Sequence, residues 1–158
     1  MKTIIKTLII AGALGILTAC ATQPSVNSVQ AREQAQQDYL VQALRNSGGD
    51  IQRNGNDLLV TFPSSYLFGE NSTAIRRSSG IPMLNYACKL LAYFNMSQMN
   101  VVVYTKGDHQ LAAQRASILQ NYLWDNHVYA RFTLKSVRSI NPNSKEQPRI
   151  ELQIHLAE

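Results

Sequence analysis

Hydrophobic residues after position 50 fall into short stretches with the spacing of β-strands. Four such stretches occupy residues 58–62, 101–105, 132–137 and 149–156. The run at 101–105 is almost continuously apolar, which indicates a strand inside a sheet, whereas 149–156 alternates, which indicates a half-buried strand. Residues 51–53 precede the turn signal Asn54-Gly55-Asn56 and are predicted to pair with 58–62 as a hairpin.

Two amphipathic helices are predicted between these strands, at residues 79–94 and 110–125. In the first helix, Pro82 suits the opening turn, and Cys88 shares the apolar face as a small buried residue. Residues 95–100 are polar and are predicted to form a turn. The order β-α-β-α-β-β predicts an α+β fold, a two-layer sandwich in which a mixed sheet carries helices on one face.

A further helix is predicted upstream, from about Ser28 to the Gly48-Gly49 pair that would end it. Its first half is rich in glutamine and alanine, and apolar residues become frequent only from Tyr39 onward. Such a half buries little apolar surface by itself. Two interpretations stay open: a solvated stalk, which the composition favours, and a helix that docks onto a partner.

The chain begins with the pattern of a secretory signal over residues 1–19, a basic start followed by an apolar segment too short to span a membrane comfortably. The signal ends in Leu17-Thr18-Ala19-Cys20, which resembles a bacterial lipobox and predicts lipid attachment to Cys20. Several acyl chains on one residue anchor a protein stably. Ala21 follows instead of an aspartate, which favours the outer membrane, with the protein facing the periplasm.

The predicted organisation therefore has three parts. They are a lipoprotein signal peptide over 1–19, a lipidated N-terminus with a tether and stalk helix over 20–50, and one domain over 51–158. The formal net charge is +5, and +3 remains once Lys2 and Lys6 of the signal are left out. This mild charge, without a cluster of basic and aromatic residues, predicts no nucleic-acid partner.

The motif content argues against catalysis. His109, His127 and His155 lack the spacing of metal ligands. The sequence contains no nucleophile-elbow, zinc-protease or phosphate-loop motif. We therefore expect neither an enzyme nor a cofactor.

One charged residue interrupts the apolar stripe of the helix at 110–125. At about 100° per residue, the stripe contains Leu111, Arg115, Ile118 and Tyr122. Burying an arginine costs free energy unless its charge is paired or reaches a groove that is open to solvent. Arg115 is therefore expected to have a partner or to line a groove.

Four segments carry a recognisable pattern in a fixed order. They are Tyr66-Leu67-Phe68, Tyr104-Thr105, residues 111–116 (LAAQRA) and residues 147–152 (QPRIEL). Together they resemble the OmpA-like domain, the peptidoglycan-binding module of many outer-membrane proteins and lipoproteins. The resemblance covers about residues 58–156 and implies the same fold for the domain.

The resemblance also implies a ligand. In that family an aspartate binds the ammonium of diaminopimelate in the peptidoglycan stem peptide, and an arginine binds its carboxylate. An opposite pair of charges suits a zwitterion, and a guanidinium matches a carboxylate with two parallel hydrogen bonds. Arg115 matches the family's arginine, and Thr105 matches the residue before the aspartate.

The aspartate position departs from the pattern because it holds Lys106, and the loop from there to Arg115 is short. Asp108, two residues on, is the candidate substitute, and a helix N-cap is its alternative role. Lys106 itself is expected to be a solvated loop charge, or else to repel the ammonium of the ligand.

Two functions stay open. In the first, the protein is a structural subunit of an envelope-spanning secretion complex, whose type IVB lipoproteins the layout resembles, and attaches it to peptidoglycan. In the second, it is a stand-alone lipoprotein that tethers the outer membrane to the cell wall. The expected partners are outer-membrane lipid through acylated Cys20, other envelope or secretion-complex proteins, and the peptidoglycan stem peptide.

Overall fold

Four helices and five strands make up the described part of the chain, residues 26–158, in this computed structural model. The helices are α1 (Val26–Asn46), α2 (Ser64–Leu67), α3 (Gly80–Leu91) and α4 (His109–Asp125). The strands are β1 (Asp50–Asn54), β2 (Asp57–Pro63), β3 (Met96–Thr105), β4 (Phe132–Ser139) and β5 (Arg149–Leu156). The predicted signal peptide, Cys20 and the tether lie outside the described residues. None of these helices combines the length and apolar character that crossing a membrane requires.

The strands form one mixed sheet in the order β1-β2-β5-β3-β4. β3 and β4 are parallel, and the other neighbours are antiparallel. The β1–β2 hairpin confirms the pairing predicted around Asn54-Gly55-Asn56. Gly55 has a φ of +59° in the turn, a left-handed conformation that glycine adopts without a steric penalty.

The helices pack on one face of this sheet, over a hydrophobic core built from alternating strand positions. β5 contributes Ile150, Leu152, Ile154 and Leu156, as its alternation predicted. Cys88 of α3 lies in the same core, where burial raises the pKa of its thiol to about 12. The predicted α+β class, with a mixed sheet and helices on one face, is confirmed.

β3 begins earlier than its sequence suggests, and the turn predicted for residues 95–100 is wrong. The strand starts at Met96, and both Met96 and Met99 lie in the core. The polar residues between them, such as Gln98, belong to the opposite face of the sheet. An open sheet face tolerates polar side chains, so polarity alone does not exclude a strand. α3 also ends at Leu91, three residues before its predicted end.

α1 matches the predicted upstream helix, and its two halves differ. Most of residues 29–39 are exposed to solvent. Leu40 and Leu44, in contrast, are 4% and 0% exposed and pack in the core. Arg45 adds an ion pair with Asp50 of β1, with 3.0 Å between Nε and Oδ1. The last turns of α1 therefore belong to the folded domain, whereas the first half is solvated.

Candidate functional site

The candidate site lies where β3 ends and α4 begins. Asp108 directly precedes α4, and its Oδ1 accepts hydrogen bonds from the backbone N–H groups of Gln110 (2.7 Å) and Leu111 (3.0 Å). Asp108 is therefore the N-cap of α4 and satisfies two of the N–H groups that every helix start leaves unpaired. Its Oδ2 has no hydrogen-bond partner within residues 26–158.

Arg115 extends from α4 onto the loop that follows Phe68. Its Nε donates to the carbonyl of Ser72 at 3.0 Å, and its Nη2 donates to the carbonyls of Gly69 (2.6 Å) and Glu70 (2.8 Å). Its guanidinium also lies over the Phe68 ring, 5.2 Å from Cζ to the ring centroid. Backbone oxygens and an aromatic face thus replace water around the charge. The predicted apolar stripe through Arg115 is wrong, because the face of α4 that packs in the core consists of Ala112, Ala116, Leu119 and Leu123. Arg115 lies beside that face and not in it.

Arg115 keeps unused binding capacity. A guanidinium has five N–H donors. Nε and Nη2 use three of them on the loop, so Nη1 retains two without a partner among the described residues. No carboxylate in residues 26–158 forms an ion pair with it. Burial lowers the pKa of Arg115, and the charge of Asp108 acts in the opposite direction.

Asp108, at the N-cap, and Arg115, in the first half of the helix, are both held by α4. Seven positions separate them, which is two helical turns, or about 10 Å along the axis. The helix therefore holds both a carboxylate and a guanidinium, an arrangement that suits a zwitterion.

Lys106 is engaged and half-buried, so the prediction of a solvated loop charge is wrong. Its Nζ donates to the carbonyl of Ser144 at 2.6 Å, which ties the end of β3 to the loop before β5. A loop carbonyl that lacks a backbone partner attracts the ammonium. Thr105 shapes the same turn, because its Oγ1 accepts a hydrogen bond from the Gly107 N–H at 3.1 Å.

A charge network near the site was missed by the sequence predictions. The guanidinium of Arg149 stacks on Tyr104 with 3.9 Å from Cζ to the ring centroid, and it pairs with Glu151 (2.7 Å) and Glu146. Burial opposes ionisation of Glu151, but hydrogen bonds from Arg149 and Gln153 outweigh it and hold its pKa below the ordinary value. The i, i+2 spacing of Arg149 and Glu151 on a strand was the available signal, since it places both on one face.

The described residues offer no arrangement of histidine, cysteine, aspartate and glutamate that would hold a metal ion. His109 is the first residue of α4, and its Nε2 lies 2.9 Å from the hydroxyl of Ser139 at the end of β4. The backbone N–H of Ile140 donates to the carbonyl of Thr105 at 2.8 Å. These contacts join the ends of β3 and β4 under the start of α4.

The fold is that of OmpA-like domains, as three solved structures show. The cell wall anchor of the T6SS from Pseudomonas aeruginosa is similar with a TM-score of 0.61 at 18% identity, over 76% of this chain and 96% of that one. The periplasmic domain of Helicobacter pylori MotB gives 0.58 at 20% identity, over 70% and 81%. The OmpA-like domain of FopA1 from Francisella tularensis gives 0.51 at 14% identity, over 70% and 83%. No protein-family model and no curated protein matches the sequence.

These likenesses confirm the predicted OmpA-like fold. One of the similar structures is a cell wall anchor, and another is a periplasmic domain. At identities this low, these likenesses establish the fold alone. The ligand and the partners therefore have to be inferred from the chemistry of the site.

Proposed function

We propose that this protein attaches to peptidoglycan by binding the diaminopimelate of the stem peptide between Asp108 and Arg115. The observation that carries the proposal is the state of Arg115. Among residues 26–158 this half-buried cation contacts no carboxylate, and its two Nη1 donors have no partner. Asp108 lies at the N-cap of the same helix and supplies the opposite charge. The OmpA-like fold, and the likeness to a cell wall anchor, support the assignment.

In this proposal the loop fixes the guanidinium before the ligand arrives. Because Nε and Nη2 are held by three carbonyls, Arg115 loses little conformational freedom on binding. The ligand carboxylate binds at Nη1, and a second parallel bond requires Nη2 to release a loop carbonyl. The ammonium binds Oδ2 of Asp108, since Oδ1 caps the helix, and Thr105 fixes the turn that carries Asp108.

The proposal includes the membrane anchor. Acylated Cys20 would hold the protein in the outer membrane, and the tether with the solvated half of α1 would extend the domain into the periplasm. The lipobox pattern of residues 17–20 and the exposure of residues 29–39 support this arrangement.

A second candidate function is a structural subunit of an envelope-spanning secretion complex. It is favoured by β4, an edge strand whose Phe132 and Leu134 are 65% and 54% exposed. An edge strand has unpaired backbone groups along one side, and exposed apolar side chains there favour docking of another protein. The layout resembles that of the IcmN/DotK lipoprotein of type IVB (Dot/Icm) secretion systems. Both functions are compatible in one protein.

Cosedimentation with purified sacculi tests the peptidoglycan proposal. The full-length protein in detergent should pellet with sacculi, and Arg115→Gln or Asp108→Asn should lower the bound fraction. Asn is as good an N-cap as Asp, so Asp108→Asn removes the charge and keeps the cap. Arg77→Gln, a change of an exposed arginine, should bind as the wild type does. Wild-type protein that stays in the supernatant would refute the proposal.

Crosslinking in living cells tests the second candidate. A photoreactive residue at Phe132 should form adducts with other envelope proteins, whereas the same residue at Trp124, exposed on α4, should form few. Recovery of free protein and peptidoglycan adducts alone would exclude a docking role for β4.

A further inference from the structure

Two rows of side chains form a groove on the face of the sheet that the helices leave open. Each row takes one residue from β1, β2, β5 and β3 in turn, as the strand register shows. The rows are Gln52, Leu59, Gln153, Asn100 and Asn54, Asp57, His155, Gln98. All eight residues line a groove of about 550 Å³.

The chemistry of this groove suits a neutral ligand. Five of the eight side chains are carboxamides, each of which offers both donors and acceptors. The charged groups are already engaged with one another or with the backbone. His155 Nδ1 lies 2.8 Å from Oδ1 of Asp57, and Arg53 donates from Nε to the carbonyl of Gly55 at 3.0 Å. The groove therefore suits hydroxyl and amide groups better than ions.

Part of the groove is held in place by a hydrogen-bond network. Gln153 donates from Nε2 to the buried carboxylate of Glu151 at 2.9 Å, and Asn100 donates from Nδ2 to Oε1 of Gln153 at 3.5 Å. Asn54 and Gln98, in contrast, have side chains without a hydrogen-bond partner among the described residues. The groove thus combines amides that are held in place with amides that are free to bind a ligand. Orientation before binding lowers the entropic cost of association.

The shape of the groove indicates an extended ligand. Neighbouring strands are about 4.8 Å apart, so each four-strand row runs roughly 14 Å across the sheet. That length exceeds an ion or a single amino acid. Leu59 lies among the polar side chains and offers an apolar contact in the floor. A sugar ring presents this combination, with hydroxyl groups around its edge and C–H groups on its faces.

We propose that this groove binds the glycan strand of peptidoglycan through its hydroxyl and acetamido groups. The choice of glycan rests on the proposed attachment to the cell wall. The groove is separate from the Asp108–Arg115 site, because Gln98 and Asn100 lie in the first half of β3, whereas Asp108 follows its other end. The domain would then contact both components of peptidoglycan, the peptide and the sugar chain.

Calorimetric titration of the full-length protein in detergent tests the groove. The probes are chitotetraose, a neutral chain of N-acetylglucosamine, and maltotetraose, which lacks acetamido groups. Chitotetraose should bind at least tenfold more tightly. The double substitution Asn54→Ala with Gln98→Ala should weaken its binding about tenfold, since two hydrogen bonds are lost. The matched control, Asn121→Ala with Gln114→Ala, changes the same residue types on the exposed face of α4 and should have no effect.

A diaminopimelate-containing stem peptide, titrated in parallel, separates the two sites. Its binding should depend on Arg115 and not on the groove pair, and chitotetraose should show the reverse. No binding of chitotetraose, or equal binding by the groove double variant, overturns the glycan proposal whatever the stem peptide does. If the wild-type protein binds chitotetraose but not the stem peptide, the Asp108–Arg115 proposal is overturned and the groove proposal stands.

Discussion

The guanidinium of Arg115 combines an observed role in the fold with the proposed role in ligand binding. Three hydrogen bonds tie it to the loop after Phe68, and Nη1 remains for a ligand. The loop is otherwise closed by a β-bridge between Phe68 and Ile75 and by a hydrogen bond from Arg76 Nε to the Phe68 carbonyl. Arg115 therefore contributes to the fold by itself, and its substitution should affect stability as well as the proposed binding.

Replacing Arg115 by alanine should lower the free energy of unfolding by about 2–3 kcal/mol, because three loop carbonyls lose a charged donor. Urea denaturation followed by circular dichroism measures the change. Arg77→Ala removes an exposed arginine and should change stability by less than about 0.5 kcal/mol. Equal stability of the two variants would show that the loop contacts of Arg115 contribute nothing.

Glu151 should make stability depend on pH. Its pKa is lowered by folding, so its contribution is fully present above the ordinary value of 4.5 and is lost as the pH falls through the lower folded value. Glu151→Gln should therefore destabilise the protein at pH 7 by about 1–3 kcal/mol. The difference from wild type should shrink below pH 4.5 in urea titrations. A difference that stays constant down to pH 3 would contradict the assigned ionisation.

At the scale of elements, α1 contains the boundary between a solvated segment and the folded domain. Its periodicity alone predicts a helix, and its polar first half favours a stalk. The structure adds that Leu40 and Leu44 are in the core, with Arg45 paired to Asp50. In the proposed lipid-anchored arrangement, force on the tether would reach the core through these packed side chains.

The two halves of α1 should respond differently to truncation of a side chain. Leu44→Ala should cost about 2–5 kcal/mol of unfolding free energy, because the side chain is fully buried. Val29→Ala, at a position 40% exposed in the first half, should cost less than about 0.5 kcal/mol. Chemical denaturation of both variants gives the comparison, and a small effect at Leu44 would place all of α1 outside the domain.

The sequence predicted elements best where the burial pattern is simple. β5 was predicted with its observed bounds because apolar and polar residues alternate strictly along it. The first residues of β3 were missed because their polar members face the open side of the sheet, where polarity carries no penalty. In a sheet that is covered on one face only, the ends of a strand are therefore set by its pairing with neighbouring strands. A single sequence does not show that pairing.

For the whole molecule, the sequence located the candidate site but not its contacts. The resemblance pointed to Arg115 and Asp108, whereas the predicted apolar stripe of α4 was displaced by about one residue from the face that is buried. The partners of Arg115 are backbone carbonyls of Gly69, Glu70 and Ser72, and backbone oxygens have no residue signature. For the same reason the sequence predicts a solvated charge at Lys106, whereas its ammonium donates to the Ser144 carbonyl.

The groove on the open face of the sheet could not be predicted from the sequence, for a related reason. Its rows join residues from four strands that are up to about a hundred positions apart in the chain, so their proximity depends on the register. A domain with a helix-end peptide site and a sheet-face sugar site would contact the cell wall on two sides. Such a domain, tethered by lipid, would join the outer membrane to the wall.

The most direct test of the central claim compares two stem peptides that differ in one carboxylate. Lysine is diaminopimelate without its second carboxyl group, so a lysine peptide keeps the ammonium and removes the group assigned to Arg115. The wild-type protein should bind the diaminopimelate peptide at least tenfold more tightly, and Arg115→Gln should abolish that preference. Equal affinity of wild-type protein for both peptides would contradict the account.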